Sequence, residues 1–143
     1  MRFSWRGKQQ PSPERLRVLV VCMGNICRSP MAEGVLRQRL AVRRLALPVE
    51  VDSAGTHGYH EGAPPDPRAQ SAALRRGVDI SKLRARQVES ADFVHFDLLL
   101  AMDEDNRSAL LEAAAEEHHG KIRLLLEYSP ERAARSIPDP YYG

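Results

Sequence analysis

The run LRVLVVCMGNICRSP, residues 16–30, restricts the fold more than any other part of the chain. Leu16–Val21 is apolar and valine-rich, without polar alternation, which is the pattern of a short parallel strand buried on both faces. Residues 22–29 hold Gly24, Asn25 and Ser29 and read as a loop. Pro30 suits the first turn of a helix, where a missing N–H has no partner to lose. Met31–Arg44 then sets Met31, Val35, Leu36 and Leu40 on one side and arginines on the other, which predicts an amphipathic helix. The run is a strand–loop–helix junction.

The rest of the chain repeats that alternation. Val49–Asp52 reads as a second strand closed by Ser53–Gly55, and Thr56–Pro67 as a loop. Arg68–Arg76 is helical and Gly77 stops it. Arg86–Val88 is a short extended piece. Asp97–Met102 is an apolar strand, and Asp103 is a good N-cap for a helix over Asp105–His118 that Gly120 ends. Ile122–Glu127 is a fourth strand, and the tail IPDPYYG is a proline-rich loop. The expected fold class is α/β: a three-layer α/β/α sandwich with a four-stranded parallel, Rossmann-like sheet. Residues 1–14, with Gly7, Pro11 and Pro13, read as a flexible N-terminal arm, leaving 15–143 as a single domain.

Composition narrows the function. A net charge of +2 is too mild to argue for nucleic acid or a membrane surface. No apolar run approaches the roughly 20 residues of a membrane span, and the polar N-terminus lacks a secretory h-region. The expectation is a cytoplasmic chain whose thiols stay reduced. Its two cysteines, Cys22 and Cys27, give no disulfide framework. They could be a structural pair, a metal half-site or a reactive thiol. Zinc is disfavoured, because His57, His60, His95, His118 and His119 show no matching spacing. No metal and no cofactor are expected.

Ligands of α/β sheets sit at the carboxyl ends of strands, where the loop 22–29 lies. It also precedes a helix N-terminus, whose free N–H groups favour an anion. Gly24 removes side-chain bulk and Asn25 tolerates positive φ, so successive amides can curl into a nest around a dianion. Arg28 adds a planar fork for phosphate oxygens. Such a field favours the thiolate form of a cysteine, and Ser29 can donate its hydroxyl proton to the sulfur. Cys22-x5-Arg28-Ser29 therefore builds a nucleophile inside its own oxyanion cradle. It is not a Walker A loop, since no Gly-Lys-Ser/Thr ends it.

The segment Val20–Pro30 resembles the C-x-G-N-x-C-R-S-P signature of the low-molecular-weight protein tyrosine phosphatase family. Asp139-Pro140-Tyr141-Tyr142-Gly143 resembles its C-terminal Asp-Pro motif. VDSAGT, PPDPRA, ARQV, DFVHFDLLLAMDEDN and KIRLL, lying between, are similar to the family too, so the resemblance covers residues 16–143. It implies a metal-independent enzyme acting on phosphotyrosine proteins. By resemblance Cys22 attacks phosphorus, the loop Met23, Gly24, Asn25, Ile26, Cys27 and Arg28 holds the phosphoryl oxygens, and Asp139 serves as general acid and then base. Ser53 matches a family serine that braces the loop asparagine. Tyr59, Tyr141 and Tyr142 would wall a substrate cleft. Isoleucine at position 26 resembles the phosphotyrosine branch rather than the phosphoarginine one, which tends to have threonine there. For Asp139, Ser53 and Tyr59 ordinary loop or turn roles stay open. Cys27 is either a small buried residue or a resolving thiol for an oxidised Cys22.

Two features depart from the family. Leu83 stands where many relatives carry a histidine that bonds towards the phosphate loop. The family also continues past DPYYG with a final helix that this sequence lacks. The expectation is an apolar strip exposed beside the first helix, with homodimerisation as one way to bury it. Two other functions compete: a phosphate-binding regulatory module with little turnover, and an arsenate reductase, whose thiol relay calls for cysteines beyond Cys27 that this chain lacks.

Overall fold

The computed structural model describes residues 14–43 and 45–128. Four strands, β1 Leu16–Cys22, β2 Val49–Gly55, β3 Leu98–Ala101 and β4 Ile122–Leu124, form one sheet in the order β2-β1-β3-β4. Every pairing is parallel. The helices are α1 Arg28–Ala41, α2 Pro67–Leu74, α3 Ser90–His95 and α4 Glu104–Ala113. The expected α/β sandwich is the observed fold.

The alternation of β1 explains its unbroken apolar sequence. Leu19 and Val21 join Leu99, Ala101, Ile122 and Leu124 on one face, where Phe93 and Phe96 of the α3 region and Leu110 of α4 cover them. Val18, Val20 and Cys22 point to the other face with Leu100 and Met102, against Ala32 and Leu36 of α1. Each fully buried Val or Leu contributes about 1.5–3 kcal/mol, so both faces hold this strand in register. Because β1 pairs with β2 on one side and β3 on the other, its carboxyl end is the point where the strand order reverses. Cys22 stands there, opposite Gly55. Such reversal points open the crevice where α/β sheets take ligands.

Several boundaries differ from the expectation. α1 starts at Arg28, three residues before Met31, and takes in Pro30. Proline fits because the first N–H groups of a helix have no intrahelical partner. The apolar residues of α1 serve two surfaces: Ala32 and Leu36 meet the sheet, while Met31 and Val35 meet Ala69 and Ala73 of α2. β2 runs on to Gly55 because Ser53, Ala54 and Gly55 pair with Val20, Val21 and Cys22. The helix after Asp103 stops at Ala113, and a 3₁₀ turn over Glu116–Lys121 replaces its expected last turns. Beyond Ala114 the residues Glu116–His119 offer no apolar side chain to bury, so nothing holds a further turn to the core. β4 ends at Leu124, followed by a 3₁₀ turn over Leu125–Tyr128.

The sequence pattern does not predict α3. Its first turn is fixed by Asp92, whose Oδ2 accepts the Glu89 N–H at 2.7 Å. The expected arm lies outside the described residues save for Glu14, and so do Asp139, Tyr141, Tyr142 and whatever follows Tyr128. Among the described residues no helix is long and apolar enough to cross a membrane.

Candidate active site

The loop between β1 and α1 is pinned from outside through its carbonyls. Thr56 N–H donates to Cys22 O and His57 N–H to Met23 O, both at 2.9 Å. Asp66 N–H donates to Ile26 O at 2.8 Å and Met31 N–H to Cys27 O at 3.3 Å. With those carbonyls engaged on the rim, the loop can turn its N–H edge towards Cys22, and Asn25 N–H donates to the Cys22 Sγ at 3.3 Å. Asn25 holds the single left-handed backbone among the described non-glycine residues, with φ of 59°. Asparagine accepts that conformation more readily than most residues. Two glycines make room. A Cβ on Gly55 would lie 2.6 Å from Met23 O, so the loop can rest on the end of β2 only because that residue is glycine. A Cβ on Gly24 would press on the His60 ring at 3.0 Å.

The polar side chains behind the loop are almost wholly buried: Asn25, Arg28, Ser29, Glu33 and Ser53. Groups so placed need partners, and Asn25, Ser29, Glu33 and Ser53 supply them to one another. Ser29 Oγ lies 3.0 Å from the Cys22 Sγ. Asn25 Nδ2 donates to Ser29 Oγ at 2.8 Å and to Ser53 Oγ at 3.0 Å. Asn25 Oδ1 accepts the backbone N–H of Arg86 at 2.9 Å. Ser53 Oγ donates in turn to Glu33 Oε1 at 2.7 Å. Burial pushes the Glu33 carboxyl above the usual carboxylate range, against the lowering pull of Ser53 and Arg37. Leu83, at the place of the family histidine, packs instead with the α1–α2 cluster. The asparagine is held without it, through Arg86 and through Ser53–Glu33.

Arg28 is fixed by Asp103. Its Nη1 donates to Asp103 Oδ2 at 2.7 Å, with the guanidinium side chain 5% exposed. The other carboxylate oxygen of Asp103 accepts Asn106 N–H at 2.7 Å and caps α4. One side chain thus ties helix α4 to the guanidinium. Arg86, whose N–H holds Asn25, is itself clamped by Asp92 at 3.0 and 3.1 Å and by Asp52 at 3.1 Å. Burial opposes the Arg86 charge, but the two carboxylates outweigh it and raise its basicity.

Cys22, Met23, Gly24, Asn25, Ile26, Cys27, Arg28, Ser29 and Ser53 are therefore assembled in one place. Tyr59 stands at the rim: it is 73% exposed and stacks on His57 with ring centroids 5.1 Å apart. Both cysteines are buried and neither is in a disulfide. Cys27 packs with Ile26 and Ala85, whereas Cys22 belongs to the sheet face towards α1. Among the described residues no cluster of three or more His, Cys, Asp or Glu side chains could hold a metal ion. Reasoning from the sequence overlooked Glu33, the second role of Asp103, and the Arg86–Asp92 clamp. Glu33 carried a signal: at four residues after Ser29 it falls on the side of α1 that faces the loop and sheet.

The loop thus sets a buried thiol against the Asn25 N–H and the Ser29 hydroxyl, with the Arg28 guanidinium fixed by Asp103. The sequence profile described as low molecular weight phosphotyrosine protein phosphatase matches residues 17–143. The human low molecular weight phosphotyrosine protein phosphatase is 44% identical over 128 residues, which are 88% of this chain and 80% of that protein. The crystal structure of YfkJ from Bacillus subtilis superposes with a TM-score of 0.86 at 39% identity, covering 92% of this chain and 83% of that one. Vibrio vulnificus Wzb, solved in complex with benzylphosphonate, gives 0.75 at 34% identity, covering 88% and 82%. On its fold and these relationships, the chain belongs to the low molecular weight phosphotyrosine protein phosphatase family.

Proposed function

We propose that the protein hydrolyses aryl phosphomonoesters, phosphotyrosine in proteins among them, through a phosphocysteine and without a metal. The observation that carries this reading is the setting of Cys22, with Asn25 N–H at 3.3 Å, Ser29 Oγ at 3.0 Å and Arg28 held beside it by Asp103. The Cys22 sulfur attacks phosphorus and forms the S–P bond while the ester P–O bond breaks. The loop amides and Arg28 hold the non-bridging oxygens as charge shifts among them. Asp139 gives its proton to the leaving phenolate, then takes one from the water that cleaves the S–P bond. Such acid–base help is typically worth about 10²–10⁴ in rate. Tyr59, with Tyr141 and Tyr142, would wall a slot for a flat ring, and the benzylphosphonate bound to Vibrio vulnificus Wzb is a ligand of that shape.

Cys27 would act as the resolving thiol. Peroxide oxidises Cys22 to a sulfenic acid, and the Cys27 thiol displaces hydroxide from it, giving a disulfide and water. Mass spectrometry of the peroxide-treated protein should show the loss of two hydrogens, reversed by dithiothreitol; sulfinic acid at Cys22 in its place would sink the idea.

The direct test is hydrolysis of p-nitrophenyl phosphate across pH, with EDTA, by wild type, Cys22→Ser and Asp139→Ala. Turnover that Cys22→Ser abolishes and Asp139→Ala slows by about 10²-fold or more is the expected result. A wild type that binds vanadate but turns over nothing would instead mark a phosphate-binding module.

A further inference from the structure

We propose that Glu33 is a positioning residue of the phosphate loop: its carboxylate sets the direction of the hydrogen bonds that hold Asn25 against the Cys22 sulfur. The inference rests on the reading of Cys22 as the reactive group.

The direction of the network can be derived link by link. The backbone N–H of Arg86 can only donate, so the side-chain oxygen of Asn25 must face it, at 2.9 Å. The amide nitrogen of Asn25 then faces both serines and donates to each. Ser53 Oγ, already accepting from Asn25, must send its own proton elsewhere. The acceptor is Glu33 Oε1 at 2.7 Å. Ser29 Oγ likewise accepts from Asn25; with Cys22 as the thiolate, which cannot donate, the Ser29 proton goes to the Sγ at 3.0 Å, nearer than Ala54 O at 3.5 Å. At the far end Glu33 Oε2 meets Arg37 Nη2 at 2.8 Å, and that nitrogen also donates to Val51 O at 2.7 Å. Arg37 can never accept. The donor roles along the line from Arg37 to the sulfur are thus fixed: Asn25 donates to both serines, and Arg37 and Ser53 both donate to Glu33, which can only accept. Asp52, the neighbour of Ser53 on β2, turns one oxygen to the Ser53 N–H at 2.8 Å and the other to Arg86.

These fixed roles make glutamine at position 33 an informative change. Its amide has the carboxylate's shape but one donor end. Arg37 demands an oxygen, while a serine hydroxyl can take either role. The glutamine oxygen therefore turns to Arg37 and its NH₂ to Ser53. Ser53 then receives two donors, its proton has no acceptor, and its bond to Asn25 weakens. Removing Arg37 lifts the demand and lets the glutamine oxygen return to Ser53.

The test uses wild type, Glu33→Gln, Arg37→Met and the double variant. The first readout is the rate at which iodoacetate alkylates Cys22 at pH 7, with Cys22 and Cys27 separated by peptide mass. The second is kcat/KM for an aryl phosphate. Glu33→Gln should slow both about tenfold, the worth of one buried, charge-assisted hydrogen bond. Arg37→Met should change them by less than about threefold, and the double variant should recover most of the loss. Ser53→Ala supplies a second line, since it should reproduce the Glu33→Gln loss and add little to it. A double variant as slow as Glu33→Gln, or slower, would overturn the proposal, because a simple buried ion pair predicts that order. So would a Glu33→Gln enzyme alkylated as fast as wild type. If wild type turned over no aryl phosphate, the phosphatase reading would fail alone, and the order of alkylation rates would still decide this inference.

Discussion

The two ends of the sheet follow opposite rules. At the carboxyl end, around residues 22–29, the buried side chains are polar: Ser29 is 0% exposed, Glu33 2%, Asn25 3% and Ser53 5%. At the amino end, in the connection from α1 to β2, apolar side chains face outwards: Val42 is 81% exposed and Leu45 48%. Leu45, Leu47 and Pro48 line a groove of about 390 Å³. Buried polar groups carry information that scattered exposed leucines do not, because each costs free energy unless bonded. The fold is held by the apolar faces of β1. The loop between β1 and α1 is held by a hydrogen-bonded interior that ties Asn25 and Ser29, the neighbours of the Cys22 sulfur, to Ser53, Glu33 and Arg86. Substitutions at the two ends should therefore differ in kind: one end should lose rate, the other little of anything.

The largest expected effect is Cys22→Ser, which should lower turnover by at least about 10⁴-fold while the melting temperature stays near that of wild type. Equal loss from Cys27→Ser would assign the nucleophile wrongly. Asn25→Ala comes next. It sets alanine in a left-handed backbone, at about 1–2 kcal/mol, and strips partners from two serines and Arg86, at about 1–3 kcal/mol each left unsatisfied. Chemical denaturation should show it less stable, and kcat/KM should fall about 10²-fold as the loop loses its geometry.

Asp103→Asn separates the two duties of that residue. An asparagine still caps α4, so stability should change little, whereas Arg28 loses its charged anchor and kcat/KM should fall about tenfold or more. A variant that melts early yet turns over normally would show that Asp103 matters only as a cap.

Glu33 predicts a pH dependence of stability. Its folded carboxyl titrates above the ordinary value of 4.5, chiefly because it is buried. Between that value and its raised one, the folded chain binds more protons than the unfolded one, so this group lowers stability as pH rises through the window. Relative to Glu33→Gln, wild type should be most stable at the acid side of the window and lose ground towards neutral pH. Urea denaturation of both proteins across that range measures it, and a constant difference would contradict it. The smallest effect belongs to the amino end. Val42→Lys and Leu45→Lys should leave kcat/KM unchanged and shift stability within about 0.5 kcal/mol. A large loss of activity there would mean that the two ends are coupled.

The strand–loop–helix junction was legible because its residues are contiguous. Cys22 through Ser29 are neighbours in sequence, and a glycine, an asparagine and an arginine in that order serve few purposes besides cradling an anion. The strands were legible because burial on both faces leaves an unbroken apolar run. Elements whose stability is not written in such a run were misjudged. α3 is six residues long and held by Asp92, and the end of α4 depends on where apolar cover stops. Only family likeness suggests Ser53 from the sequence, and the structure shows its bond to Asn25.

The sequence by itself determined the alternation of strand and helix, the parallel sheet, and the placement of a thiol and a guanidinium in one short loop. Local pattern suffices for these, since burial periodicity and turn chemistry act over a few residues. Tertiary structure alone decided what stands behind the loop. Asp103 is 75 residues from Arg28, Arg86 is 61 from Asn25, and Glu33 reaches Ser53 across the gap between a helix and a strand. Nothing local marks those residues as partners, because a hydrogen bond between distant segments exists only after the sheet has brought their ends together.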